Sequence, residues 1–354
     1  MKFIHISDVH IGAKPDATFP WGLQREKEIF LSFQKVIDLC NSENIDLLLI
    51  AGDLFHKQPL LRELKEVNYC FEKLVNTQVV FIAGNHDHIG LRSNYVGFTW
   101  NRNVHMLDAE SMDSIYIEDI NTEVYGFSYH TRDIVEPRYD QVQPGCEERI
   151  NILLAHGGDE KNIPMNKKAM LNNGFDYIAL GHIHKPEIFS DRMAYAGSLE
   201  PLDKNETGDR GYIQGEIMKT EDINSISIRL IPNSCRRYYK EALNSNRETT
   251  NGSLMDQARN RIKELGGENI FVFNIKGIRD TDILYHKEDF FSLGNVIDVI
   301  DETVPDYDFE ALYKENSDNI IGLYIQRIKE NAVADEVAQK ALYYGIEALL
   351  GARR

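Results

Sequence analysis

The chain has 354 residues, more than one ordinary hydrophobic core supports, so its length predicts two domains with a C-terminal extension. Its formal net charge of −17 argues against tight DNA binding by the chain alone, because duplex affinity rests on basic side chains that contact phosphates. The opening MKFIHIS is typical of a strand rather than a signal peptide, and no apolar run approaches the roughly 20 residues of a membrane-spanning helix. We expect a cytoplasmic protein without a membrane segment and with reduced thiols at four scattered positions, Cys40, Cys70, Cys146 and Cys235.

Short apolar runs alternate with amphipathic segments over the first two thirds of the chain. Strands are predicted at KFIHI (2–6), IDLLLIAG (45–52) and QVVFIAG (78–84), and helices at 25–43 and 60–76. Further strand-like runs follow at SIYIED, EVYGFSY, INILLAHG, YIALGH, MAYAGS and GYIQGEI. Strands that alternate with helices indicate a layered α/β domain, which we place at residues 1–235.

After residue 235 the strand-like apolar runs give way to a more polar sequence. Residues 236–277 are predicted to form a polar linker, a helix, a Gly-Gly break and a strand, and we assign 236–305 to a smaller α+β domain. The segment PDYDFE is predicted to be a linker, and one or two helices follow within 306–354.

The last predicted helix, AVADEVAQKALYYGIEALL (332–350), is apolar around nearly its whole circumference. One face carries Val333, Val337, Ala341 and Tyr344, and a neighbouring face carries Ala338, Leu342, Ile346 and Leu349. A helix this apolar at a chain end predicts a surface that docks on a partner. The alternative is that it folds back on its own domains.

Polar side chains of metal-ligand types follow five of the predicted strands. Residues two apart in an extended segment point the same way, so each Asp-x-His or His-x-His pair can face one pocket. Asp53 has two carboxylate oxygens and can bridge two cations. Mixed imidazole and oxygen donors favour Mn²⁺, Fe²⁺ or Zn²⁺ over Mg²⁺. The candidate ligands are Asp8, His10, Asp53, Asn85, His156, His182 and His184.

The motifs DVH, GDLFH, GNHD, AHG and GHIH resemble those of the calcineurin-like metallophosphoesterases, and HISDVHIG and YAGSLEP resemble more narrowly the SbcD-type DNA repair exonucleases. The resemblance implies a four-layer αββα sandwich with a two-metal site, followed by a smaller capping domain. It also implies a partition of the ligands. One ion would be held by Asp8, His10, Asp53 and His184, and the other by Asp53, Asn85, His156 and His182.

The same resemblance implies catalytic roles for residues that are not ligands. His86 would act as general acid or stabilise the transition state, and His56 would be a second histidine on the phosphate side. We expect Asp87 to orient His86, because a carboxylate offsets the effect of two nearby cations on an imidazole. Contacts with DNA are predicted for the basic and aromatic run Arg236, Arg237, Tyr238 and Tyr239.

Three functions stay open on the sequence alone: a DNA exonuclease or endonuclease acting in repair, a phosphodiesterase or phosphatase acting on a small phosphoester or phosphoprotein, and an inactive scaffold. The complete set of ligands argues against the scaffold, and the appended domain argues against a minimal small-molecule enzyme. The resemblance implies a partner, an SbcC-like coiled-coil ATPase, which would supply the basic surface that this acidic chain lacks. Homodimerisation is left open.

Overall fold

A computed structural model describes residues 1–220, 223–331 and 336–352 of the chain. It divides the chain into two compact units, an N-terminal unit of residues 1–238 and a C-terminal unit of residues 239–354. The predicted end of the first domain, residue 235, lies close to this division. The further division that the sequence places at residue 305 stays a prediction.

The N-terminal unit alternates strands and helices in its first half, as the sequence predicts. Among the described residues, short 3₁₀-helices lie outside these elements at Pro20–Gln24, Glu118–Ile120 and Phe291–Leu293. In chain order the strands and helices are β1 (Lys2–Ile6), α1 (Arg25–Ser42), β2 (Leu47–Ala51), α2 (Leu61–Glu72), β3 (Gln78–Ile82), β4 (Val104–Met106), β5 (Asp113–Ile117), β6 (Thr122–Gly126), β7 (Ile150–His156), α3 (Lys167–Leu171), β8 (Tyr177–Gly181), β9 (Glu187–Ser190), β10 (Met193–Tyr195), β11 (Gly211–Lys219) and β12 (Asn224–Pro232).

The described strands of this unit form two six-stranded sheets of similar design. The first sheet has the order β12-β11-β1-β2-β3-β4, and the second has the order β5-β6-β7-β8-β10-β9. Strands β1 to β4 run parallel to one another, as do β6, β7, β8 and β10. Antiparallel strands extend the first sheet beyond β1, as β11 and β12, and form both edges of the second sheet, as β5 and β9. The carboxyl ends of the parallel strands are where open α/β sheets bind ligands.

Side-chain alternation along the buried strands builds the layers. In β2, Leu47 and Leu49 face the second sheet, in a core shared with Ile152 and Leu154 of β7. Leu48 and Ile50 point the opposite way and pack against side chains of α1 and α2. The outer face of the second sheet is covered by α3 and by tyrosines from the loops. The predicted four-layer αββα sandwich is confirmed.

A buried cation holds the start of α1 against the loop that follows β10. Arg25 is fully buried, and its guanidinium donates to Glu28 (2.8 Å), to Glu200 (3.2 Å) and to the carbonyl of Pro201 (2.7 Å). Glu200 also accepts from the hydroxyl of Ser32 at 2.5 Å. A buried charge is tolerated only when it is paired and hydrogen-bonded in this way.

Arg25→Ala is therefore expected to destabilise the N-terminal unit by about 3–5 kcal/mol, because it leaves the carboxylate of Glu200 buried without its cation. Urea denaturation of the metal-free protein measures the change in free energy of unfolding. Lys14→Ala is the control, since Lys14 and Glu26 form an exposed ion pair at 3.2 Å whose loss costs less than about 1 kcal/mol. Equal, small effects of the two substitutions would contradict this account of the network.

The C-terminal unit contains a small sheet and a group of helices. The elements are β13 (Tyr238–Ser245), α4 (Asn251–Leu265), β14 (Ile270–Arg279), α5 (Lys287–Phe290), β15 (Val296–Asp301), β16 (Val304–Pro305), α6 (Phe309–Glu315), α7 (Ile320–Asn331) and α8 (Glu336–Gly351). The sheet has the order β13-β14-β15, with β16 paired to β14. Two predictions are wrong here: the segment taken as a polar linker forms the strand β13, and α6 begins inside the predicted linker PDYDFE.

The last helix, α8, divides its apolar side chains between a buried and an exposed face. Leu342 and Ile346 pack in one cluster with Ile321 and Ile325 of α7, so this face folds back on its own unit. Val337 and Tyr344, on the other predicted face, are 70% and 71% exposed. The prediction for Val333 lies outside the described residues. Within the described ranges, no helix combines the length and apolar character needed to cross a membrane.

Candidate metal centre

The ends of five parallel strands bring all seven predicted ligands to one place. The loops after β1, β2 and β3 supply the ligands of the first sheet, and the ends of β7 and β8 supply those of the second. The loops continue beside each other beyond the strands: the Asp8 amide donates to the Gly52 carbonyl, and the His10 amide donates to the Asp53 carbonyl, both at 3.1 Å. Main-chain hydrogen bonds thus fix the positions of these side chains.

One group of donors gathers around His10. The Nε2 atoms of His10 and His184 are 3.0 Å apart, and Nε2 of His184 lies 4.0 Å from Oδ1 of Asp8. Nε2 of His10 lies 3.8 Å from Oδ2 of Asp53. Two imidazole nitrogens that face each other beside carboxylates form a donor set that a divalent cation satisfies.

A second group gathers around Asn85. Its side-chain oxygen lies 2.9 Å from Nε2 of His156 and 3.2 Å from Nδ1 of His182. Nε2 of His156 is 3.5 Å from Oδ2 of Asp53. The same carboxylate oxygen of Asp53 therefore faces both groups, as a residue that bridges two cations must.

Four of the seven candidate ligands have a strained backbone conformation. Asp8, His10, Asp53 and His182 have positive φ values of 50°, 53°, 51° and 94°. Residues with a side chain rarely adopt this left-handed region, and each instance costs about 1–3 kcal/mol. The surrounding fold holds the four side chains where the site needs them.

Gly52 is required where the loop after β2 passes the ring of His156. It has φ +85°, and a Cβ atom there would overlap the imidazole. Gly52→Ala is expected to displace His156 and to lower metal content as measured by elemental analysis. Gly97→Ala is the control, because Gly97 has a similar φ of +77° and no atom within 4 Å of the position that a Cβ would take, so it adds backbone strain of about 1–3 kcal/mol alone. Equal metal content in the two variants would contradict the overlap.

The outer nitrogens of three imidazoles are held by acceptors behind the centre. Nδ1 of His156 lies 2.8 Å from the carbonyl of Ala51. Nε2 of His182 lies 2.7 Å from a carboxylate oxygen of Asp159, and Nδ1 of His184 lies 2.6 Å from one of Glu206. An imidazole that donates through one nitrogen presents a lone pair on the other, which is the form that binds a metal. The donor set fits two cations.

The electrostatics of the centre favour an ionised bridging carboxylate. Burial disfavours charge on Asp53, but the neighbouring imidazoles of His156 and His10 outweigh burial and lower the pKa of Asp53. Burial likewise acts to lower the pKa of His156, and the Asp53 carboxylate outweighs it and raises that pKa above its ordinary value. A buried negative charge between imidazoles suits a site for cations.

His86 and His56 lie beside the ligands. Their rings are stacked with centroids 5.4 Å apart, and the His86 ring meets the His10 ring edge-on at 4.8 Å. The His86 amide donates to Oδ1 of Asp53 (2.9 Å), and its Nδ1 lies 3.1 Å from the carbonyl of His56. That carbonyl accepts from Nδ1–H of the ring, so Nε2 is the nitrogen left for a reacting group.

Asp87 does not take the position that the sequence predicts. Its carboxylate is fully buried, whereas the imidazole of His86 engages the His56 carbonyl instead. Burial and the charge of Asp53 raise the pKa of Asp87. We correct its role: Asp87 braces the GNHD loop from below by accepting from the Gly84 amide (2.7 Å), the Phe55 amide (3.1 Å) and the Tyr95 hydroxyl (2.8 Å).

Two of the predicted DNA contacts are buried. The Arg236 guanidinium, 9% exposed, grips the carboxylate of Glu28, and Tyr238 is fully buried with its hydroxyl bonded to Asp16. Neither side chain can reach a phosphate, so the predictions for Arg236 and Tyr238 are wrong. Arg237 is half-exposed and paired with Asp209, and Tyr239 stacks on Phe271; their predicted roles stay predictions.

This arrangement of donors at the ends of two sheets has counterparts in known proteins. A family model described as calcineurin-like phosphoesterase matches residues 1–186. The chain belongs to this family. Calcineurin-like phosphoesterases use a dinuclear site for divalent metals, and the His/Asp cluster of this chain lies where such a site is expected.

Individual relatives are similar over larger parts of the chain. The uncharacterized metallophosphoesterase YhaO of Bacillus subtilis is 30% identical over 236 residues, 60% of this chain and 56% of its own length. The DNA double-strand break repair protein Mre11 of Methanocaldococcus jannaschii is 30% identical over 269 residues, 67% of this chain and 68% of its own. Mre11 of Aeropyrum pernix is 28% identical over 235 residues, 59% and 56% respectively. The chain thus spans between about half and two thirds of these relatives.

Proposed function

We propose that the chain is a metal-dependent DNA nuclease that hydrolyses phosphodiesters with two divalent ions, Mn²⁺ first among the candidates. The observation that carries the proposal is the geometry around Asp53, one carboxylate oxygen within 4 Å of imidazoles from two separate donor groups. One ion belongs with Asp8, His10, Asp53 and His184, and the other with Asp53, Asn85, His156 and His182. Bound ions would supply Lewis acidity toward the phosphate and activation of water.

The residues beside the ions account for proton transfer. His86 keeps its Nδ1 on the His56 carbonyl, so Nε2 is the atom that can meet a phosphate oxygen or the leaving oxygen. His56 stacks on His86 and limits the movement of its ring. To donate a proton to the departing oxygen, or to stabilise charge on it, His86 must be the imidazolium, in which Nδ1–H stays on the His56 carbonyl and Nε2 gives up its proton.

The similarity to Mre11 favours DNA over a small phosphoester. It covers 67% of this chain and 68% of the relative, more than the 186 residues of the family match. Mre11 is named as a DNA double-strand break repair protein, and this likeness supports the proposal that the present chain acts in DNA repair.

A hydrolysis panel tests the proposal. The full chain is freed of metal, reloaded with Mn²⁺, and given linear duplex DNA, single-stranded DNA, an aryl phosphate and a cyclic nucleotide. Cleavage of DNA that disappears with a chelator and returns with Mn²⁺ is the expected result. Preferential turnover of a small ester would overturn the DNA assignment, and no turnover with two bound ions would favour the scaffold.

We also propose that the exposed face of α8 docks on an SbcC-like coiled-coil ATPase. Val337 and Tyr344 lie two turns apart on this face and are mostly exposed, which suits an apolar groove or coiled coil. Such a partner would bring the basic surface that a chain of net charge −17 does not offer to DNA.

Substitutions on α8 test the docking face without uncovering its buried side. Val337→Asp with Tyr344→Asp is expected to weaken co-purification of the ATPase by about 10²-fold or more, since exposed anchors of an interface contribute about 2 kcal/mol each. Cleavage of short single strands should be unchanged. Gln326→Asp, an exposed position on α7, adds charge without touching the face. Full partner affinity in the double variant would refute the docking proposal.

A further inference from the structure

Two carboxylates outside every recognised motif stand directly behind the GHIH pair. Asp159 contacts the outer nitrogen of His182, and Glu206 contacts that of His184. The two acids come from different loops, one after β7 and one after β10. The third imidazole with a held outer nitrogen, His156, is fixed by the main-chain oxygen of Ala51 instead.

Asp159 is set in place by its own turn. One of its carboxylate oxygens accepts from the amides of Lys161 and Asn162, both at 2.8 Å, and the other oxygen meets His182 at 2.7 Å. Gly158, whose φ is +122°, shapes the loop. One carboxylate oxygen of Asp159 thus binds the amides of its own loop, and the other contacts the imidazole of His182.

The two carboxylate oxygens of Glu206 also have different partners. Its Oε2 accepts from the amide of Leu202 at 2.8 Å, and its Oε1 lies 2.6 Å from Nδ1 of His184. The loop that carries it is tied to the protein interior through Glu200, which is buried against Arg25. A surface side chain with free rotation would not occupy one position; Glu206 is held at both oxygens.

We propose that Asp159 and Glu206 are positioning residues, each governing the affinity of one of the two ions. Glu206 acts through His184 on the ion shared with Asp8 and His10, and Asp159 acts through His182 on the ion shared with Asn85. The proposal rests on the two-ion site of the proposed function. It adds that a different carboxylate sets the affinity of each ion. Carboxylates behind metal-binding imidazoles fix the ring and increase its basicity, and their loss costs about 10–100-fold in metal affinity.

Because each acid contacts a ligand of a different ion, the effects of the two acids on metal binding can be measured separately. If each acid serves one ion, Glu206→Gln weakens one Mn²⁺ binding event, Asp159→Asn weakens the other, and the double variant shows both losses. If they were ordinary ion pairs of the surface, the substitutions would change metal binding no more than neighbouring charge changes do.

Calorimetric titration of the metal-free full chain with Mn²⁺ tests this. The wild type should bind two ions, and each single variant should lose about 10–100-fold in affinity for one of them. Asp203→Asn and Glu160→Gln are matched controls, since they remove the same charge from the same two loops without a contact to an imidazole. Melting of the metal-free proteins verifies that all variants are folded.

A spectroscopic measurement and a second variant complete the test. At intermediate Mn²⁺ concentration, electron paramagnetic resonance of the single variants should show isolated ions where the wild type shows a coupled pair. Glu206→Asp keeps the charge but shortens the reach, and should bind metal as weakly as Glu206→Gln. Wild-type affinity in Glu206→Gln and Asp159→Asn, or losses equal to those of the controls, would overturn the inference. Either result can occur whether or not the wild type cleaves DNA, so a failed nuclease assay is a separate outcome.

Discussion

Asp53→Ala is expected to leave the protein without either bound ion and to abolish metal-dependent hydrolysis. Its Oδ2 lies 3.8 Å from the metal-facing nitrogen of His10 and 3.5 Å from that of His156. Removing it takes a ligand from both groups and also the negative charge that separates two cations. Turnover should fall by more than about 10³-fold, beyond the loss of a single stabilising donor.

Elemental analysis after gel filtration measures the metal content of this variant. Asp191→Ala, on the exposed turn between β9 and β10, is the control for loss of one carboxylate and should retain both ions. Asp53→Asn is informative as well, because it keeps the shape and the acceptor for the His86 amide but loses the charge. A well-ordered pair of metals in the alanine variant would disprove the bridging role.

His86→Ala should show the opposite pattern, with metal retained and turnover lowered by roughly 10²–10⁴-fold, the contribution of a general acid. The ring lies against the rings of His10 and His56, but its Nδ1 is engaged by a carbonyl rather than turned to the metal ligands. Its removal therefore takes away a proton donor and leaves the ligand groups intact.

Metal content and turnover must be measured on the same preparation of this variant. His130→Ala is the matched control, since His130 bonds the carbonyl of Asp108 away from the ligand loops and its loss should leave both quantities unchanged. If the ions leave together with the activity of His86→Ala, His86 is a ligand and its assigned role is wrong.

The fold and the candidate ligands could be predicted from the sequence because both follow from local sequence patterns. Buried strands such as LLLIA are continuous apolar runs, and a polar residue of a ligand type stands at the strand end or within three residues of it. Parallel strands share a carboxyl edge, so residues that end different strands must meet. That reasoning is independent of the partners that surround each side chain.

The errors have the opposite origin, since they concern residues whose role depends on distant partners. Arg236 and Tyr238 are residue types that often contact nucleic acids. Here they are buried and bind Glu28 and Asp16, which lie more than 200 positions earlier in the sequence. Glu206 stands 22 residues after the histidine that it holds, in no recognisable motif. Asp87 follows His86 directly in sequence, and adjacent residues of a turn point in different directions.

The ligands of the proposed metal pair come from both sheets of the sandwich, and this has a mechanical consequence. Leu49 and Leu154 belong to an apolar interface that resists sliding of one sheet over the other through close packing. A few hydrogen bonds also cross it, such as those of His5 with the Tyr177 hydroxyl (2.9 Å) and of His156 with the Ala51 carbonyl (2.8 Å). Two cations held by loops of both sheets would cross-link them at one end. When the free metal concentration is 100 times the dissociation constant, a bound ion adds about 2.7 kcal/mol to the free energy of unfolding. The metal pair would then strengthen the contact between the two sheets at that end, and its removal would leave packing and these hydrogen bonds to resist sliding.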